Sequence, residues 1–60
     1  KGRRSLHAAV DIPAGQTITA EMLTTKRPGM GIRPALQSVV VGRVARTDIP
    51  ADQWIEWNMI

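Results

Sequence analysis

Apolar residues occupy every second position along Leu6-His7-Ala8-Ala9-Val10-Asp11-Ile12. Successive side chains of a strand point to opposite faces, so this spacing predicts a β-strand. Leu6, Ala8, Val10 and Ile12 share one face, with His7 and Asp11 on the other. Pro13-Ala14-Gly15 then reads as a turn, with proline presetting φ at the first central position and Gly15 taking φ > 0 at the exit. A short strand through Ile18 follows. Residues 20–23 fit a single helical turn, with Thr19 placed to cap it and Glu21 near its N-terminus.

The same pattern recurs. Residues 8–23 read AAVDIPAGQTITAEML and residues 45–60 read ARTDIPADQWIEWNMI. At a constant offset of 37, eight of these sixteen positions are identical: Ala8/Ala45, Asp11/Asp48, Ile12/Ile49, Pro13/Pro50, Ala14/Ala51, Gln16/Gln53, Ile18/Ile55 and Met22/Met59. Two copies are too few for a solenoid, which needs about three to bury a continuous core. They predict two similar half-units packed about a pseudo-two-fold axis. In the second copy Asp52 stands where the first has Gly15, and aspartate is one of the residues that tolerate the left-handed region.

Between the copies, residues 26–34 (KRPGMGIRP) carry the breakers of a loop. Residues 35–39 fit one more helical turn behind Pro34, and Val39-Val40-Val41 leads through Gly42 into the second strand. The expected fold is mostly β, with short strands, one-turn helices and an internal pseudo-two-fold repeat. The expected core is Leu6, Ala8, Val10, Ile12, Ile18, Met22, Leu23, Leu36, Val40, Val44, Ile49, Ile55 and Met59.

Length and charge narrow the picture. Sixty residues allow one small domain, which buries only about 60% of its unfolded surface. The chain opens with Lys1 rather than methionine and is expected to be a piece of a longer protein. Without cysteine it has neither a disulfide nor a thiolate metal site, in keeping with a reducing cytoplasm. No apolar run approaches the ~20 residues of a membrane span. The net charge is +3, but Lys1, Arg3 and Arg4 lie in the first four positions, where a linker enters; the remaining five basic residues balance five acidic ones. A neutral body whose only aromatics are Trp54 and Trp57 lacks the basic stripe of a nucleic-acid binder.

Catalytic signatures are missing. His7 is the single histidine and is expected to face solvent. No His, Asp or Glu grouping has metal-ligand spacing. Ser5 and Ser38 lack a nucleophile's context, and Gly29-Met30-Gly31 is followed by Pro34 rather than the third glycine of a phosphate loop. Asp11 and Asp48 are equivalents at turn entries, which points to turn chemistry rather than acid–base work. Trp54 and Trp57 read as core or interface. The chain thus offers no catalytic residue and no metal ligand. Arg27 stands apart: Pro28 pushes it into an extended conformation, and Gly29 and Gly31 let the chain reverse just after it. That displays a guanidinium with five donors for carboxylate, phosphate or carbonyl oxygens.

Arg3-Arg4-Ser5-Leu6 ahead of an alternating strand, then Asp11-Ile12-Pro13-Ala14-Gly15, Leu23, Lys26-Arg27-Pro28-Gly29-Met30-Gly31-Ile32, Val41-Gly42-Arg43-Val44-Ala45 and Asp48-Ile49, together resemble one family. It is the antifreeze-like (SAF) C-terminal domain of N-acetylneuraminate (sialic acid) synthases, with the legionaminic and pseudaminic acid and spore-coat polysaccharide synthases. The combination of RRS and KRPGxGI carries the specificity; the DIPAG hairpin is common to the wider SAF superfamily. The resemblance covers essentially the whole chain, with residues 1–4 as the end of a linker and 5–60 as the domain. It implies a β-clip, type III antifreeze-like fold and a non-catalytic lid. In a cytoplasmic, domain-swapped homodimer this lid covers the TIM-barrel active site of the partner subunit. The parent enzyme would condense phosphoenolpyruvate with an N-acyl amino sugar, using divalent Mn or Mg held by the barrel and no cofactor in this domain. By the same resemblance Arg27 is the substrate-binding residue, contacting the acylamino sugar. The family's phenylalanine near the loop has no counterpart here, since the chain contains none. The alternative is a non-enzymatic SAF module of a periplasmic flagellar or pilus assembly protein. Ice binding fits poorly with loops that carry Arg27, Arg33, Arg43 and Arg46.

Overall fold

The computed structural model describes residues 2–60; Lys1, counted above among the linker residues, lies outside the described residues. Strand β1, Ser5–Ala8, pairs antiparallel with β2, Leu23–Lys26, placing Ser5 opposite Lys26 and Ala8 opposite Leu23. Its other edge is also paired: Ala8 donates its N–H to the Gln53 carbonyl at 2.9 Å and the Leu6 carbonyl accepts from the Ile55 N–H at 2.9 Å. With partners on both edges, all four β1 residues are buried.

The two copies are joined by reciprocal hydrogen bonds. Ile12 and Ile49 exchange both backbone N–H···O bonds at 2.8 Å, which puts this pair on the pseudo-two-fold axis. Around it, Ala8 N–H to Gln53 O is matched by Ala45 N–H to Gln16 O, both 2.9 Å. Gly15 N–H to Ala45 O is matched by Asp52 N–H to Ala8 O, both 2.8 Å. Each copy's strand therefore pairs with the turn of the other copy, and the halves interdigitate rather than stand side by side. Gly15 and Asp52 take φ of 89° and 73°, the left-handed conformation expected of both.

One-turn 3-10 helices occupy Ala20–Met22 and its equivalent Trp57–Met59. Thr19 makes no side-chain cap; the first turn closes through the backbone, Met22 N–H to Thr19 O at 3.1 Å. A third 3-10 turn, Pro34–Leu36, runs into α1, Gln37–Val40, with Pro34 at the first position as expected. Leu23, read from sequence as the end of a helical turn, instead begins β2.

The core holds Leu6, Ala8, Ile12, Ile18, Val40, Ile49 and Ile55, as the alternation requires, with Met22, Leu23 and Met59 packed against it. Ile32, Ala45 and Ile60 join them. Three expected members are exposed. β1 stops at Ala8, where the chain bends and Ala9 N–H turns to the Met22 carbonyl at 2.8 Å, so Val10 leaves the inner face. Leu36 lies in a turn that buries none of its residues, the core taking Val40 from α1 instead. Val44 is the equivalent of His7, but no strand corresponding to β2 lies over it among the described residues.

Candidate functional site

Arg27 follows the last residue of β2 directly and is exposed, as the sequence reading requires. The backbone carrying it is held at several points. Ser5, fully buried on β1, donates its hydroxyl to the Pro28 carbonyl at 2.9 Å. The Arg27–Pro28 peptide bond is cis. Gly29 lies so close to the N-terminal segment that a Cβ there would sit 2.9 Å from the Arg3 carbonyl carbon. At Gly31 a Cβ would come within 3.1 Å of Trp54 Cδ1 and nearer still to the Ile55 carbonyl oxygen. Neither glycine has positive φ, which corrects the expectation that they serve chain reversal. They are glycines because two backbone segments touch there.

Lys26, just before Arg27, pairs with Asp52 across the molecule. The hydrogen bond and the positive charge of Lys26 lower the Asp52 carboxyl below its ordinary 3.8. Asp52, at the left-handed position where the first copy has glycine, thus places its side chain against the last residue of β2, next to Arg27.

His7 is not the solvent-facing residue that alternation predicts. It is 2% exposed, because β2 lies along one side of it and Trp54 stands opposite on the other, the rings edge-on at 6.4 Å. Its Nδ1 is 3.0 Å from the Ser5 carbonyl. Trp54 is half-buried, with its indole N–H bonded to Glu56 at 2.8 Å, whereas Trp57 is exposed under the Arg43 guanidinium, 5.5 Å from the ring centre.

Asp11 and Asp48 do serve turns, but each serves the other copy's. Asp11 Oδ1 accepts from Ala51 N–H and Asp48 Oδ1 from Ala14 N–H, both at 2.8 Å. Sequence reasoning had placed them correctly at turn entries and missed the exchange. The reciprocal spacing in the repeat was the available signal. Among the described residues no group of three or more His, Asp or Glu converges on a metal position, and no helix is long and apolar enough to cross a membrane.

A shallow groove runs beside the loop, lined by Gly2, Arg3, Arg27, Pro28, Gly29 and Met30. A Cβ on Gly2 would lie 3.8 Å from Arg27 Nη2, so the arginine arches over this segment. Arg3 and Arg27 both line it, and a guanidinium there suits anionic or carbonyl oxygens. On the far side of Met30 a second groove is bordered by Glu56, Trp57 and Asn58.

The chain is 31% identical over 58 residues to the uncharacterized protein MJ1065 of Methanocaldococcus jannaschii; the match covers 97% of this chain and 17% of the relative. The unit therefore makes up a small part of a much longer protein there. The family model for the SAF domain matches residues 3–60, and the chain belongs to the SAF domain family.

Proposed function

We propose that this SAF domain is the non-catalytic lid of a sialic acid synthase-like transferase. In this reading Arg27 reaches into the partner subunit's active site and hydrogen-bonds the N-acyl amino sugar. The parent enzyme condenses that sugar with phosphoenolpyruvate in the cytoplasm, on a divalent metal held by its barrel domain, and the isolated 60-residue chain is inactive. The observation that carries the reading is an exposed Arg27 whose backbone is held by the β1–β2 ladder before it and by the Ser5–Pro28 hydrogen bond after it. An arginine left free at the end of a constrained loop has lost little of its own freedom and can donate a planar fork to a ligand at small ordering cost. The RRS and KRPGxGI motifs, which resemble the synthase domains, lie together at this loop: Ser5 of the first bonds Pro28 of the second.

Mixed subunits test the arrangement. In the full-length enzyme, Arg27→Ala spoils the lid and leaves the barrel intact, while a barrel-dead chain keeps Arg27. Heterodimers of the two regain one complete site, so activity on mixing exceeds the sum of the separate variants. Verified heterodimers without recovered activity would rule out a lid acting on the partner.

A further inference from the structure

We infer that Ser5 is a positioning residue for Arg27, an inference that rests on the proposed contact of Arg27 with the sugar. Its hydroxyl is fully buried, yet it is not spent within its own strand: it reaches 23 residues along the chain to the carbonyl of Pro28, the residue after Arg27. Ser5 also faces Lys26, the residue before Arg27, across the β1–β2 ladder. One residue of β1 thus holds both neighbours of Arg27. Further in, the Ser5 carbonyl meets His7 Nδ1 at 3.0 Å, so the anchor is itself backed by a buried imidazole.

The repeat shows that the frame does not need this hydroxyl. The position equivalent to Ser5, 37 residues on, is Gly42, at φ 96° and with no side chain, and the ladder bonds that recur in both copies, at Leu6/Arg43 and Ala8/Ala45, still agree to within 0.1 Å. Removing the Ser5 hydroxyl leaves the Pro28 carbonyl without its protein donor, and the loop is then free to rotate Arg27 away from its set direction.

The test uses the full-length enzyme with an N-acyl amino sugar as the varied substrate. Ser5→Ala raises the KM for the sugar about 3- to 10-fold, the range a neutral hydrogen bond supplies, with kcat within about twofold. Ser5→Cys, close in volume but a weaker donor, falls between the two and carries the same comparisons should Ser5→Ala fail to fold. In an Arg27→Ala background, Ser5→Ala adds no further loss, because the group it positions is gone. An unchanged sugar KM beside a raised one for Arg27→Ala overturns the inference, and so does full additivity of the two losses. If Arg27→Ala itself changes nothing, the sugar-binding reading fails instead. Positioning is then judged on the 60-residue chain by NMR. Ser5→Ala must shift the Arg27 side-chain Nε–H signal and lower the order parameters of the Arg27 and Gly29 amides. Unaltered Arg27 and Gly29 signals overturn it.

Discussion

Positions 7 and 44 are equivalent in the repeat, but His7 is 2% exposed and Val44 47% exposed. His7 lies opposite Trp54 and Val44 opposite Thr17, the corresponding bridges of the two ladders. What differs is the cover. β2 runs along β1 and carries the chain into the Arg27 loop; no strand covers Val44 among the described residues, where positions equivalent to Thr24–Lys26 do not occur. The reciprocal bonds of Ile12 with Ile49, and the exchanged carboxylates of Asp11 and Asp48, are the same from either half. The symmetric part of the molecule is therefore frame. The candidate chemistry gathers on the β2 side of β1, in residues 24–33 and the β1 face beneath them.

The most severe challenge to the asymmetric half is steric. Gly31→Ala drives a methyl group into the Ile55 carbonyl and the Trp54 ring, which backbone on both sides cannot absorb. A loss of about 3 kcal/mol or more in urea unfolding is expected. A small loss would mean that the loop is not packed against the second copy.

Equivalent positions sharpen the contrast. His7→Ala removes a buried ring from between β2 and Trp54 and is expected to cost about 2 kcal/mol, while Val44→Ala stays within about 0.5 kcal/mol. Where the symmetry holds, equivalents must behave alike: Asp11→Ala and Asp48→Ala each remove one cross-copy turn bond, at about 1 kcal/mol apiece. Denaturation midpoints that separate Asp11 from Asp48, or fail to separate His7 from Val44, would undo the division into frame and site.

How much of this was legible in the sequence divides along the same line. The repeat was plain from identities at one offset, and it carried the turn conformations of Gly15 and Asp52 with it. The alternation named most of the core. It failed at His7 because period two assigns residues to faces without saying which faces are covered. Here the cover comes from β2 and Trp54, far along the chain. β2 itself was hidden: Leu23-Thr24-Thr25-Lys26 has no clear alternation and borders a run rich in breakers. Arg27 stood out through Pro28 and its family motif. Its supports did not, since Arg3 and Ser5 lie in one stretch and Asp52 in another, and only the folded chain brings them to one loop.

The smallest effect expected is on pH. Because Lys26 depresses the Asp52 carboxyl in the folded chain, the pair's contribution is fully present above the ordinary value of 3.8. It is lost as the pH falls through the lower folded value. An NMR titration should find Asp52 protonating below 3.8, and Lys26→Ala should raise that midpoint. An Asp52 that titrates normally in the native chain would remove the tie between the second turn and β2.

The central claim is that the Arg27 loop is the working part and the paired frame carries it. Its most direct test is kcat/KM for the amino sugar, measured beside the melting temperature, for Arg27→Ala in the proposed full-length synthase. The account predicts a loss of about 1.5–3 kcal/mol in kcat/KM, roughly 10- to 150-fold, with the melting temperature nearly unchanged because the side chain is exposed. Arg27→Lys recovers little of it, since an ammonium cannot reproduce the planar fork. A kcat/KM equal to that of the unaltered enzyme, with the variant folded and dimeric, would contradict the account.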